Sequence, residues 1–228
     1  MSAQTLSNTL GTTYRVAWAM LHRYRVAMVR VEREPLQGDV EVDEVFVGGI
    51  DHGGRPGRGT RKCIVVIAVE IKQPRGFGRI RMRHVPDASG RSLVPFVCDV
   101  VASDSVVLTD GWQGYGGLSR HGYTRKISPL SASGDSSDVP MPGVHRVASL
   151  LKRWILGTHH GSIDPVHLQS YLEEFTFRFN RRKSRSRGKL FFRLVQQAVA
   201  AEPTTYRSII ESARADWSPN HNLLGVPE

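Results

Sequence analysis

Residues 39–47 read DVEVDEVFV, and a Gly- and Arg-rich turn at 48–62 separates them from the continuous apolar run CIVVIAVEI at 63–71. The first run alternates acidic and apolar side chains, which predicts a strand with one buried face. The second run is β-branched and apolar throughout, which predicts a central strand buried on both faces. After a Pro/Gly turn at 74–78, residues 79–85 (RIRMRHV) alternate again. The three segments together predict an antiparallel three-strand meander.

The rest of the chain predicts strands and helices around this meander. Upstream, residues 12–31 have the apolar spacing of a helix, which Pro35 and Gly38 end. The downstream elements are a helix at 91–101, a strand at 105–109, a loop or short helix at 111–120, a strand at 123–127, and helices at 144–156, from Asp164 onward, and at 189–200. Three strands, a helix, two strands and then helices match an α/β fold of the RNase H-like type, although many α/β domains begin similarly.

Composition limits the partners. The 228 residues include 31 Lys plus Arg against 21 Asp plus Glu, a formal net charge of +10. Nucleic acid is the first candidate partner for so basic a surface, although a merely soluble basic protein has the same balance. The two cysteines, Cys63 and Cys98, form no Cys-x-x-Cys pair, which argues against a cysteine zinc ribbon. Because no apolar stretch approaches the roughly 20 residues of a membrane span and no secretory pattern begins the chain, we expect a cytoplasmic protein without a membrane partner.

Two acids are candidates for a catalytic site. Asp43 lies within the first predicted strand, where it shares one face with Glu41. Carboxylates among valines are costly to bury unless something neutralises them, but an edge strand with solvated acids has the same pattern. Asp110 directly follows the strand 105–109 and precedes Gly111, a step that is also common in ordinary turns. If the two strands are neighbours, the two carboxylates could hold a pair of Mg²⁺ ions roughly 3.5–4 Å apart.

Four segments carry a resemblance to a known family. They are VEVDEVFVGG (40–49), LTDGWQGY (108–115), VASLLKRWILGTHHG (147–161) and HLQSYLEEFTFRFNRR (167–182). Through them the chain resembles insertion-sequence DDE transposases of the ISXO-like branch, from about residue 11 to about residue 182. The resemblance implies an RNase H-like catalytic domain that needs divalent metal, Mg²⁺ or Mn²⁺, with Asp43 and Asp110 as the first two catalytic acids.

The third catalytic position departs from the family pattern. The family often has a Glu on a helix with a Lys seven residues later, whereas here Lys152 is preceded at that spacing by His145. A spacing of seven returns to nearly the same helix face, so both side chains could point into one site. Imidazole suits Mn²⁺ or Zn²⁺ better than Mg²⁺. We therefore take His145 as the third ligand, with an ordinary surface histidine as the alternative. Glu173 and Glu174 are the alternative third acids, although the predicted helix places them on its solvated face.

Basic side chains supply candidate DNA contacts. Residues 178–189 (RFNRRKSRSRGK) hold seven basic residues and no acid, a density suited to phosphates, although cations also favour a helix C-terminus. Lys152, also counted among the candidate catalytic residues, would contact DNA phosphate near the cleavage point, and a solvated lysine beside Arg153 is the alternative. The candidate contacts are Arg55, Arg58, Arg61, Lys62, Lys152, Arg153, Arg181, Arg182, Lys183 and Arg185. A hairpin loop without DNA accounts equally well for the basic turn at 53–62.

The predicted organisation is an N-terminal helical segment at 1–38, a catalytic domain at 39–201 and a C-terminal tail at 202–228. Members of the family have a zinc ribbon and a complete DNA-binding region ahead of the catalytic domain. Neither fits before the first predicted helix, so the resemblance predicts an N-terminally shortened transposase. We expect a nucleoid-associated enzyme that cuts and joins insertion-sequence ends and target DNA as a homo-oligomer. The alternatives are a catalytically silent DNA-binding remnant and a general RNase H-like nuclease.

Overall fold

The chain forms two compact units, each described here by itself. In the computed structural model, residues 1–30, 33–48, 62–72, 76–128, 141–159 and 163–217 are described. One unit, Glu32–Gly157, contains the sheet and is called the sheet unit; the other combines Met1–Val31 with Thr158–Glu228 and is called the helical unit. The three-part division into 1–38, 39–201 and 202–228 stays a prediction.

The sheet unit contains a five-stranded mixed sheet. Its strands are β1 (Asp39–Val47), β2 (Cys63–Ile71), β3 (Phe77–Val85), β4 (Val106–Thr109) and β5 (Thr124–Ile127). They lie in the order β3-β2-β1-β4-β5. The β1–β2 and β2–β3 pairs are antiparallel, whereas β1–β4 and β4–β5 are parallel. The predicted meander with added parallel strands is therefore confirmed, and this arrangement is the RNase H-like fold.

Helices complete both units. They are α1 (Ala3–Leu10), α2 (Tyr14–Met28), α3 (Gly90–Val100), α4 (Pro142–His159), α5 (Pro165–Asn180), α6 (Arg187–Ala200) and α7 (Tyr206–Trp217), with a 3₁₀ helix, η1, at Gln113–His121. In the sheet unit, α3 and η1 supply Phe96 and Tyr115 to a core that also contains Val40 and Val42 of β1. Among the described residues, we find no helix with the length and apolar character needed to cross a lipid bilayer.

Two features of the helices differ from the predictions. Helix α4 continues through Gly157, the residue predicted to stop it, to His159. Helix α1 lies in the predicted N-terminal helical segment but ahead of the helix predicted at 12–31, and α7 lies in the predicted C-terminal tail. By contrast, Asp164 caps α5 as expected, since its carboxylate accepts from the backbone N–H of Val166. The predicted apolar stripe on α5 is also buried: Leu168, Leu172, Phe175 and Phe179.

Candidate active site

The two predicted acids lie on neighbouring parallel strands. Strands β1 and β4 pair in a register that sets Asp39 opposite Val106 and Glu41 opposite Leu108. Extending this register by two residues sets Asp43 alongside Asp110, on the same face of the sheet. Local hydrogen bonds orient both carboxylates. Asp43 Oδ1 accepts from the backbone N–H of Glu44 at 2.8 Å, and Asp110 Oδ1 accepts from that of Trp112 at 3.0 Å. The pairing confirms that β1 and β4, the strands that precede or contain the two acids, are neighbours in the sheet.

A buried tyrosine lies near the acidic side chains of this region. Tyr115 of η1 is fully buried, and its hydroxyl donates to Glu44 Oε2 at 3.0 Å. Burial raises the pKa of Tyr115 well above its usual value, and the charges of Glu44, Asp43 and Asp110 raise it further. Three carboxylates therefore lie within electrostatic reach of one hydroxyl. Nothing in the loop sequence around Tyr115 distinguishes it from an ordinary core aromatic.

Glu41 joins β1 to the N-terminus of α4. Its side chain is buried, and Oε2 accepts from the backbone N–H of Val144 at 2.9 Å. Burial raises the pKa of Glu41, while hydrogen bonds from the backbone of Val144 and Gly143 and the nearby His145 oppose that rise. The exposed N–H groups of a helix N-terminus favour a carboxylate, so they offset part of the cost of burying it. The sequence shows the acid but not this partner.

The remaining predicted members of the site are on α4. His145, Lys152 and Arg153 are all exposed, and His145 lies close enough to Glu41 to lower its pKa. Within the part of the chain that the structure describes, no group of three or more His, Cys, Asp or Glu side chains is close enough to hold a metal ion. The register of β1 with β4 thus sets Asp43 alongside Asp110, while the catalytic roles of both acids and His145 as third ligand stay predictions.

Glu174 is not on a solvated face, which corrects the expectation for the alternative acids. Its side chain is 10% exposed and its Oε2 accepts from Arg25 Nε at 2.9 Å, so the two charges form a buried ion pair. The reason is Arg25 of α2, which packs against α5. The sequence of α5 alone does not indicate this partner. Glu173 is half-buried and accepts from Gln169 Nε2 at 3.1 Å.

The predicted DNA-contacting residues differ in how available they are. Arg55, Arg58 and Arg61 lie outside the described residues. Lys62 is half-buried, whereas Lys152, Arg153, Lys183 and Arg185 are exposed.

Arg181 and Arg182, by contrast, fold back onto α5. Their guanidinium carbons lie 3.8 Å and 3.9 Å from the ring centroids of Phe177 and Phe179, respectively. Arg182 Nη1 also donates to the carbonyl of Phe179. These two arginines therefore help to end the helix, and Lys183 and Arg185 are the freer cations of this segment.

The donor set around β1 and β4 fits a divalent cation. Carboxylate oxygens are the ligands that Mg²⁺ and Mn²⁺ prefer, and the register of β1 with β4, continued by two residues, sets Asp43 alongside Asp110. Burial is the main cause of the raised pKa of Tyr115, but the charges of Glu44, Asp43 and Asp110 raise it further, so three carboxylates contribute the negative potential that a cation site requires. The fit rests on two ligands from the described residues.

Comparison with known proteins gives the family of the chain. A mixed sheet of this order, with β3, β2 and β1 antiparallel and β1, β4 and β5 parallel, defines an RNase H-like protein. The sequence model of the ISXO2-like transposase domain matches residues 35–180, well over half of the chain, and the chain therefore belongs to this transposase family. A solved structure with similarity is the catalytic core domain of BIV integrase, at 12% identity and a TM-score of 0.42, covering 73% of this chain and 99% of that one. No curated protein matches the sequence.

Proposed function

We propose that this protein catalyses metal-dependent DNA cleavage and strand transfer of an insertion sequence. The observation that carries the proposal is the parallel pairing of β1 with β4, whose register sets Asp43 beside Asp110. Membership of the transposase family supplies the substrate class. Insertion-sequence ends and target DNA are the substrates that we assign to it.

Each residue has a defined task in this proposal. Asp43 and Asp110, with His145 as third ligand, hold two Mg²⁺ or Mn²⁺ ions. When bound, such ions lower the pKa of a water or a 3′-hydroxyl and neutralise charge on the phosphate. Tyr115 and Glu44 support the floor of the site through their hydrogen bond. Glu41 keeps the first turn of α4 against β1, which holds His145 near the acids.

Basic side chains hold the DNA in this proposal. Lys152 and Arg153 project from α4 into solvent, and Lys183 and Arg185 are exposed beyond α5. Contacts with phosphates release counterions, so the affinity for DNA is expected to fall steeply as salt rises. Arg55, Arg58 and Arg61, for which the sequence predicts a turn at 53–62, complete the set of proposed DNA contacts.

The decisive experiment is nicking of supercoiled plasmid with Mg²⁺ or Mn²⁺. We expect Asp110→Asn to reduce the rate at least about 100-fold, since removing even a residue that only supports a metal ligand costs 10–100-fold. Asp104→Asn is the matched control, because Asp104 is an exposed acid just ahead of the same strand. Equal rates in wild type and Asp110→Asn, with metal present, would reject the acidic site.

A second candidate is a catalytically silent remnant that only binds DNA. It is favoured by one observation, the lack of a three-residue metal-binding group among the residues described. Salt-sensitive DNA binding by wild type, with no nicking in either metal, would establish it. Preferential cutting of RNA–DNA hybrids over insertion-sequence ends would instead favour a general nuclease.

We also propose that copies of the chain associate on DNA. Helix α6 exposes large apolar side chains: Phe191 is 69% exposed, Phe192 62% and Val199 82%. Contiguous exposed apolar side chains are typical of protein–protein interfaces. Light scattering with and without DNA measures the assembly, and Phe191→Ser with Phe192→Ser should leave a monomer.

A further inference from the structure

The helical unit contains an aromatic cavity that the acidic site does not use. It has a volume of about 660 Å³, within the range of about 300–1,000 Å³ that small-molecule sites occupy. The described residues that line it come from the starts of three helices, α2, α5 and α7, and from the cap of α5. They are Tyr14, Arg15, Trp18, Asp164, Val166, His167, Tyr206 and Ile210.

Two rings that line this cavity, those of His167 and Tyr206, pack beside the indole of Trp18. His167 and Tyr206 stand nearly perpendicular to the indole, at 71° and 69°, with centroids 5.0 Å and 5.9 Å away. Buried His22 supports the indole from within the unit at 4.0 Å. Trp18, His167 and Tyr206 are each half-buried, so their rings are held by packing while part of each remains accessible. Such fixed aromatic surfaces bind flat ligands by stacking.

The charges of the side chains that line the cavity favour a nucleobase over a phosphate group as its ligand. Of the described residues that line it, one is basic and one acidic, whereas a phosphate site needs several cations. The basic residue, Arg15, already lies over the ring of Tyr206, its guanidinium carbon 4.3 Å from the centroid. A flat π-system that enters the cavity would meet aromatic rings and the stacked guanidinium of Arg15. Proteins hold unpaired nucleobases with this combination of groups.

We propose that this cavity binds a single unpaired nucleobase of the DNA substrate. The inference rests on the proposed function for its substrate class, because a DNA-cutting enzyme meets unpaired bases at the ends it opens. Stacking is tolerant of sequence, since every base has a π-face. The cavity therefore recognises that a base is unpaired, while the sequence of the element is recognised elsewhere.

The test compares two DNA duplexes of the same sequence by fluorescence anisotropy, without added metal. One duplex is fully paired, and the other carries one extra, unpaired adenine. We expect the unpaired base to tighten binding about tenfold, the effect of one good base–aromatic stack. Tyr14→Ala should remove most of this preference, and Trp18→Ala all of it, with affinity for the paired duplex unchanged. Tyr14 is 55% exposed, so its truncation is not expected to unfold the unit.

Tyr24→Ala is the matched control, because Tyr24 is an exposed aromatic of the same helix and does not line this cavity. It should keep the full preference. Equal affinities of wild type for the two duplexes would overturn the cavity proposal while leaving DNA binding, and with it the proposed function, intact. A persistent preference in an inactive Asp110→Asn variant would support the cavity proposal independently of catalysis. Failure to bind either duplex would overturn both.

Discussion

The helical unit and the β1–β4 region of the sheet unit satisfy their ionisable groups in different ways. In the helical unit, Arg25 is neutralised by Glu174 across 2.9 Å. His22 avoids charge altogether, because burial and then Arg25 lower its pKa to about 3. On β1 and directly after β4 of the sheet unit, by contrast, buried Glu41 and half-buried Asp110 accept from the neutral backbone N–H groups of Val144 and Trp112, whereas Glu70 on β2 pairs with Arg79.

This difference indicates which kinds of ligand each unit can bind. Opposite charges that satisfy each other stabilise a specific packing but leave little potential for a ligand. Carboxylates held by neutral donors keep a negative potential, and in the sheet unit the charges of Glu44, Asp43 and Asp110 add to burial in raising the pKa of Tyr115. The helical unit is therefore expected to contribute aromatic and apolar contacts, and the sheet unit to bind cations.

The largest expected effect on stability comes from breaking the buried ion pair. Glu174→Ala leaves the charge of Arg25 buried without its carboxylate, which should lower the free energy of unfolding by about 3–5 kcal/mol. Urea unfolding followed by circular dichroism measures it. The control is Glu173→Ala, a neighbouring half-buried acid whose loss should cost less than about 1 kcal/mol. Similar losses in both variants would contradict the distinction between the units.

A smaller effect should appear as pH dependence through His22. Its folded pKa of about 3 lies below the unfolded value of 6.5, so the unfolded chain binds a proton that the folded chain does not. The associated stability is present above pH 6.5 and is lost as pH falls from 6.5 toward 3. Between pH 7 and pH 5 we expect a loss on the order of 2 kcal/mol that His22→Gln does not show.

The control for this titration is His121→Gln, which removes an exposed histidine of η1 and should keep the wild-type slope. Urea unfolding at the two pH values provides the comparison. If His22→Gln lost as much stability as wild type on acidification, neutral burial of His22 would not be what distinguishes the helical unit.

The smallest effect concerns the cap of α4. Glu41→Ala removes the acceptor for the backbone N–H of Val144, which should cost about 0.5–2 kcal/mol of unfolding free energy. Glu41→Gln keeps a carbonyl oxygen in the same place and should recover much of that loss. Thermal unfolding distinguishes the two. A loss as large in Glu41→Gln as in Glu41→Ala would mean that the charge, not the hydrogen bond, joins β1 to α4.

The strands of the sheet were predicted well because each has its own arrangement of apolar and polar residues, which can be seen from neighbouring residues alone. Strands β1 and β2 begin and end at the predicted residues, since alternation in one and a continuous apolar run in the other are properties of neighbouring residues. Helix α1 was missed because it has few apolar residues and depends on the Ser2 cap, whose hydroxyl accepts from the Thr5 N–H. Helix α7 lies in a segment with no apolar run to distinguish it from a tail.

The site was only partly predictable for a different reason. Asp43 and Asp110 stand out because each occupies an unusual place in an apolar strand or directly after one. The roles of Glu174 and Glu41 depend on partners 149 and 103 residues away, Arg25 and Val144. Periodicity carries no information on contacts at such separation. The same limit applies to the aromatic cavity, whose walls come from three separate helices.

The close approach of α4 to β1 has an evolutionary consequence. A Cβ atom at Gly143 would lie 2.8 Å from Glu41 Oε2, closer than real Cβ atoms approach, and 3.0 Å from Ile71 Cδ1, which is tighter than most real contacts. Any side chain at position 143 would push the helix off the strand or displace the carboxylate. Among homologues we therefore expect Glu41 and Gly143 to be inherited together and lost together. Lineages that replace the glycine should also have replaced the buried acid with a smaller residue.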